Sequence, residues 1–305
     1  MPPEYQFIRK NILEVSIAAK QLCRMETHQP VWFITGASFG FGRAFAQYAL
    51  SEGCRVVVAA RSVAKLAEIE QIDPSRVLAV SLDVNDPAQV SRAAEETLQR
   101  FGRIDVLINN AGYGIVGAVE ETPEQELRAQ METNFFGAVS VTRAFLPTFR
   151  KQRGGAIVNI SSMGGQLSFA GFSAYSASKF ALEGMSEALA QELKPFGVKV
   201  LIVEPGAFRT EFAGGALRHM PALDAYRDVV GATRAFAQGM HQTQAGDPKK
   251  AAKAIAQALK ATDTPLRLAL GADAVSSIRA HAQGLLSDLQ KWESVALNTK
   301  VDERG

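Results

Sequence analysis

"VWFITGASFGFGRAFAQYALSEGCRVVVAARS", residues 31–62, is the stretch on which the fold turns. An apolar run enters a cluster of three glycines, a helix-length segment follows, and a second apolar run begins at Arg55. Continuous runs rich in Val and Ile suit strands buried on both faces, as in a parallel sheet. Two such runs joined through a helix make a strand–helix–strand unit. Gly36, Gly40 and Gly42 stand where the strand becomes the helix. Bare backbone there permits a tight turn and lets a phosphate approach the helix N-terminus, which attracts anions. A glycine-rich turn that holds no ligand is the other reading of the same residues.

The alternation continues outward. Further apolar runs lie at 77–84, 105–112, 155–162, 199–206 and 266–271, with helix-like stretches at 40–52, 62–70, 87–101, 123–150 and 173–195. Two more helical stretches precede the seventh run, and a last helix is expected over 272–294. This pattern predicts a doubly wound α/β sheet of about seven parallel strands with helices on both faces. The absence of an internal linker or repeat predicts one domain over 31–295, a tail at 296–305 and an extension at 1–30. In that extension Ile8, Ile12, Val15, Ala19 and Leu22 share one helical stripe. It is either a helix on the outside of the domain or sequence upstream of a working start at Met25.

With 305 residues, 47% of them hydrophobic, the chain can bury a large core. A net charge of +2 without a basic stripe speaks against nucleic acid, and no polybasic cluster points to a membrane surface. Cys23 and Cys54 match no metal or redox spacing. No apolar run approaches the ~20 residues of a membrane span. The expectation is a soluble cytoplasmic protein without a metal.

In doubly wound sheets ligands sit beyond the carboxyl ends of the strands, and the polar residues gather there. The second run ends in Arg61, where a fold selective for NAD usually places a carboxylate. A guanidinium can pair bidentately with the 2′-phosphate of NADP, so NADP is favoured over NAD; a solvated arginine opening a helix is the alternative. Asp83 ends the third run and could accept from an adenine amino group, while Asp86 suits a helix cap. Asn109 and Asn110 end the fourth run, either bracing the sheet or touching a ribose. Ser161 and Ser162 end the fifth, and "AYSASKF" (174–180) then sets Tyr175 and Lys179 one helical turn apart.

Taken in order, "TGASFGFG", "NNAG", Asn134 in "NFFG", Ser162, "YSASK" and "PGAFRT" resemble the short-chain dehydrogenase/reductase family over about Val31 to Thr210. The Gly-x3-Gly-x-Gly and Tyr-x3-Lys spacings are similar to its stand-alone oxidoreductases, loosely those acting on 17β-hydroxysteroids and retinol. The resemblance implies a Rossmann-type fold, a nicotinamide cofactor and a catalytic set of Asn134, Ser162, Tyr175 and Lys179. It also implies cofactor contacts from Gly36, Ser38, Gly40, Phe41, Gly42, Arg61, Asp83, Val84, Asn110, Ala111, Gly112, Tyr175, Lys179, Pro205, Gly206, Ala207 and Thr210. Pairing through the helices at 123–150 and 173–195, as a homodimer or homotetramer, follows by the same analogy.

The residue types suit the chemistry. Hydride transfer between nicotinamide and a carbonyl or secondary alcohol leaves an oxygen that must gain or lose a proton. A phenol can exchange that proton once its pKa of about 10 is lowered by about three pH units, or about 4 kcal/mol. An ammonium ~4 Å away, at an effective dielectric of ~20, supplies about that much. Ser162 would fix the substrate oxygen, and the resemblance gives Asn134 a water linking Lys179 to solvent; a helix-kink asparagine bonded to backbone is its other reading. Phe208, Phe212, Leu217, Met220, Leu223, Tyr226, Phe236 and Met240 crowd an expected lid at 207–247, with Tyr113, Phe169 and Phe172 on nearby loops. They favour a lipophilic substrate, although each could simply pack on the core. A non-catalytic NADP-binding sensor would keep the glycines but would not need the tyrosine–lysine couple.

Overall fold

The computed structural model describes residues 29–301, so the stripe at 8–22, Met25 and Cys23 lie outside it. Nine strands are present among these residues: β1 (Val31–Thr35), β2 (Arg55–Ala60), β3 (Val77–Ser81), β4 (Val106–Asn109), β5 (Gly114–Val116), β6 (Gly155–Ile160), β7 (Val198–Pro205), β8 (Leu217–His219) and β9 (Arg267–Leu270). Seven of them form one parallel sheet in the order β3-β2-β1-β4-β6-β7-β9. The order reverses between β1 and β4, which opens a crevice at their carboxyl ends.

The helices follow as α1 (Gly40–Ser51), α2 (Ala67–Glu70), α3 (Pro87–Phe101), α4 (Glu124–Met131), α5 (Gly137–Gln152), α6 (Ser173–Leu193), α7 (Phe212–Gly215), α8 (Arg227–Gly239), α9 (Pro248–Lys260) and α10 (Ala272–Leu297). Side chains alternate across a strand, and here both faces are covered. Ile34, Val58, Ile108 and Val158 pack with Phe45 of α1 and Ile255 of α9. Phe33, Val57, Leu107 and Ile157 pack on the opposite face with Val90 of α3, Phe145 of α5 and Leu189 of α6. Residues on both faces of the central strands therefore meet a core, which is why those runs are continuously apolar.

Three expectations need correction. The stretch 62–70 is a 3-10 turn (Val63–Leu66) followed by the single turn of α2. The expected helix over 123–150 is split by a π turn at Glu132–Phe136, where the Gly137 N–H reaches five residues back to the Glu132 carbonyl. A π turn inserts one residue into the helical ladder, and buried Asn134 lies within it. The short parallel pair β5–β8 was not foreseen, because three residues carry no readable periodicity. Asp86, by contrast, caps α3 as expected, accepting from Ala88 and Gln89 N–H at 2.9 and 3.2 Å. Cys54 is buried, and burial pushes its thiol up to about 11, which leaves it inert at neutral pH.

Candidate active site

The crevice begins at the glycine turn. Gly36 and Gly40 adopt φ of +65° and +56°, a left-handed backbone that side chains disfavour. A Cβ on Gly42 would stand 2.4 Å from the Gly36 carbonyl oxygen and 2.8 Å from Ala37 Cα, so α1 can approach β1 only without one. Phe39 caps α1 without a side-chain bond, and no acidic residue occupies its first turn. The leading N–H groups thus keep their attraction for an anion, and these residues fit a dinucleotide pyrophosphate. The Phe41 ring turns inward, 5.5 Å from Phe45 and 5.1 Å from Phe208, so its side chain braces the turn. Thr210 faces Gly40, bringing the segment after β7 over the loop. Arg61 is exposed just past the end of β2, and Ser38 is half-buried in the turn.

Across the switch point, Asn110 donates from Nδ2 to the carbonyls of Thr35 and Gly36 at 2.9 and 3.1 Å. Thr35 Oγ1 accepts from the N–H groups of Asn110 and Ala111, both at 2.9 Å. The Asn110 side chain therefore clamps the glycine loop. Asn109 is buried in the sheet centre, donating to Thr142 and Asn159, and reaches no crevice. Asp83 spends one carboxylate oxygen on the N–H of Asn85 at 3.0 Å, while Val84 is buried against Gly137. A Cβ on Gly206 would collide with the Asp273 carboxylate, which also accepts from the Ala207 N–H at 2.7 Å. Pro205 ends β7 directly before them.

The four candidate catalytic residues converge. Ser162 starts the turn after β6 and accepts from the Gly164 N–H at 3.0 Å. Its hydroxyl and the Tyr175 ring meet over Gly164, where an added Cβ would stand 3.3 and 3.4 Å from them. Lys179, buried one turn along α6, donates from Nζ to the Ile160 carbonyl at 2.8 Å and lies 5.8 Å from the Tyr175 ring centre. A Cβ on Gly112 would stand 2.9 Å from Asn134 Oδ1 and 3.7 Å from Lys179 Nζ, which joins the fourth strand end to the same site. Asn134 accepts from the Tyr113 N–H at 3.0 Å and donates to the Tyr113 carbonyl and Ser178 Oγ at 2.9 and 3.0 Å. Its amide nitrogen is fully used, so the side chain braces the Tyr113 loop. The backbone-bonded reading of Asn134 describes these contacts.

The electrostatics depart from expectation. Burial pushes the Tyr175 phenol up to about 12, only partly countered by the Ser162 hydrogen bond. Burial also brings Lys179 down to about 8, with the Glu183 carboxylate opposing. Burial thus favours the protonated phenol and weakens the lysine cation beside it.

A family model described as short chain dehydrogenase matches residues 30–220. The chain belongs to the short-chain dehydrogenase/reductase family. It is an NAD(P)-dependent oxidoreductase. A solved short-chain dehydrogenase from Streptomyces avermitilis is 51% identical, with a TM-score of 0.86, over 90% of this chain and 100% of that one. A curated 3-ketodihydrosphingosine reductase from Bacteroides thetaiotaomicron is 49% identical over 59% of this chain and 64% of its own length. Solved relatives hold either cofactor. One from Burkholderia phymatum is in complex with NAD (25% identity, TM-score 0.76, 87% of this chain and 96% of that one). Another, from Burkholderia cenocepacia, is in complex with NADP (30%, 0.67, 90% and 99%).

Two parts of this dehydrogenase/reductase escaped sequence reasoning. Glu183, buried one turn past Lys179, accepts from Ser161 Oγ at 2.5 Å, from Gln166 Nε2, and from Arg267 Nη2 at 3.3 Å. It therefore ties the Ser162-bearing turn to the Lys179 helix. Arg267 also meets Glu204 at 3.0 Å and Glu187 at 2.7 Å. Burial and the Glu183 charge push Glu204 up to about 7, with Arg267 opposing. The spacing of Lys179 and Glu183 was the available signal.

The second part is a clasp on the lid. Buried Glu121 accepts from the N–H groups of Ala118 and Leu223 at 2.7 and 2.8 Å and from Arg234 Nη2 at 2.6 Å. Arg234 donates as well to the Met220 carbonyl at 2.7 Å, pinning α8 to the loop after β5. Phe212 of the expected lid meets the Tyr175 ring at 5.7 Å, and Phe172 of the nearby loop meets it at 6.2 Å. Leu217 and Met220 are buried as packing, Phe208 lies on Phe41, and Met240 is half-buried. Tyr226 donates to Glu120, while Leu223, Phe236 and Phe169 point into solvent.

Proposed function

We propose that this dehydrogenase/reductase works with NADP(H) on a lipophilic ketone and the corresponding secondary alcohol, with Asn134, Ser162, Tyr175 and Lys179 as its functional set. The observation that carries this reading is the Ser162–Tyr175 hydroxyl pair, set beside Lys179 at the end of β6 and across from the glycine turn. When bound, the nicotinamide donates or accepts the hydride. Ser162 donates a hydrogen bond to the carbonyl oxygen and fixes its position. Tyr175, whose phenol burial keeps protonated, gives its proton to that oxygen as negative charge develops there. Lys179 stabilises the phenolate left behind. Its buried nitrogen lies 5.8 Å from the ring centre, and an ammonium there favours the phenolate over the phenol. In the oxidative direction the same phenolate would take up the alcohol proton.

Arg61 supports NADP, since its guanidinium is exposed beyond β2 where a 2′-phosphate would be read. Phe172 and Phe212 against the Tyr175 ring support an apolar substrate, and the similarity to a relative named 3-ketodihydrosphingosine reductase points the same way. A titration with both cofactors, followed by a ketone panel read at the NADPH absorbance, tests the proposal. NADPH is expected to bind at least tenfold tighter than NADH, with long-chain ketones turned over faster than short polar ones. Equal cofactor affinities would remove the role of Arg61, and a preference for short polar ketones would remove the lipophilic assignment.

A further inference from the structure

The last helix outruns the domain it belongs to. Near its start, Ala274 is buried and Ile278 half-buried as α10 packs on β9 and the turn at Met163–Gly165. Beyond that, Leu285, Leu286, Leu289, Trp292 and Val295 are 58–64% exposed. Five large apolar side chains on one helix form an exposed patch of the kind that marks an interaction surface.

Their spacing says what covers them. Ile278, Ala282, Leu285, Leu289, Trp292 and Ala296 follow intervals of 4-3-4-3-4, the seam of a helix that packs against another helix. We propose that this seam is a self-association surface on which α10 of a second copy lies antiparallel. The sequence is self-complementary in that arrangement. With the crossing centred near residue 287, Leu285 faces the partner's Leu289, Ala282 faces the partner's Trp292, and Ile278 faces the partner's Ala296. Each bulky residue meets a small one, or leucine meets leucine. On one flank Arg279 opposes the partner's Glu293, and twofold symmetry makes that ion pair twice. At the axis Asp288 meets the partner's Asp288, one repulsion against two attractions. A parallel pairing would instead set Asp288 against the partner's Glu293 twice.

The area is sufficient. Roughly 600 Å² of apolar surface on each helix gives about 1,200 Å² in total, the lower bound for a stable interface. This surface is separate from the two long helices through which pairing is expected by family analogy, so both contacts can coexist.

Sedimentation of the full-length chain at micromolar concentration tests the proposal. The wild type is expected as an even-numbered assembly, and Leu289→Glu is expected to halve its mass. Arg279→Glu should weaken the assembly about tenfold, and Arg279→Glu combined with Glu293→Arg should restore it; this pair leaves the apolar seam intact. A monomeric wild type, or an Arg279→Glu variant of unchanged mass, overturns the proposal. So does the alternative in which residues 8–22 of the same chain cover the seam: deleting residues 1–28 would then lower thermal stability while the charge variants left the mass untouched.

Discussion

Replacing Glu183 with glutamine removes one buried charge at nearly constant shape, and its effect can be worked out from the surroundings of Lys179. The groups facing Glu183 are Ser161 and Gln166 from the turn after β6, Arg267 from β9, Glu204 from β7, and Lys179 and Glu187 from its own helix. Neighbours one helical turn apart place their charges about 6 Å from each other, where an effective dielectric of ~20 gives about 3 kcal/mol, equal to about two pH units. Lys179 already sits at about 8 because burial disfavours its cation, and Glu183 acts against that burial. Losing the carboxylate moves Lys179 lower still, so the cation is lost at a lower pH. Glu204, at about 7, is already ionised where Lys179 titrates, so its own fall on losing Glu183 restores no charge there. The expectation is that the alkaline limb of kcat moves down by about one to two pH units in Glu183→Gln and further in Glu183→Gln with Glu204→Gln, which removes both carboxylates. The affinity for NADPH should stay within about twofold. Glu187→Gln is the control, because Glu187 is half-exposed and pairs with Arg267 rather than Lys179. The assay is a pH–kcat profile from pH 6 to 10 on a working ketone. A folded Glu183→Gln variant whose profile overlays the wild type would refute the coupling.

Gly42→Ala should abolish cofactor binding, because its Cβ would stand 2.4 Å from the Gly36 carbonyl with rigid backbone on both sides; calorimetric titration with NADPH reads the loss. Arg234→Ala leaves Glu121 buried without its guanidinium, which costs about 3 kcal/mol. The melting temperature should fall by about 6–9 °C, and KM should rise as α8 loosens.

The sheet was legible because burial on both faces writes each strand as an unbroken apolar run, and all seven runs became strands within a few residues. The glycine turn was legible because φ near +60° at Gly36 and Gly40 and the close approach at Gly42 each demand the same residue. The π turn was not, since Glu132–Phe136 is helical in composition and the inserted residue follows from tertiary bonds to Tyr113. Nor could the sequence show that Asn110 turns inward to hold the glycine loop, because an asparagine at a strand end can equally point out. Spacing places Lys179 and Tyr175 on the same face of the helix, but it could not show that the Ile160 carbonyl holds the lysine nitrogen or that burial raises the phenol.

The central claim is that the Tyr175 hydroxyl carries the proton. Single-turnover reduction of a working ketone by Tyr175→Phe, with NADPH binding measured alongside, tests it most directly. The predicted result is unchanged NADPH affinity with turnover reduced at least a thousandfold; bound NADPH oxidised at a rate within tenfold of wild type would contradict it.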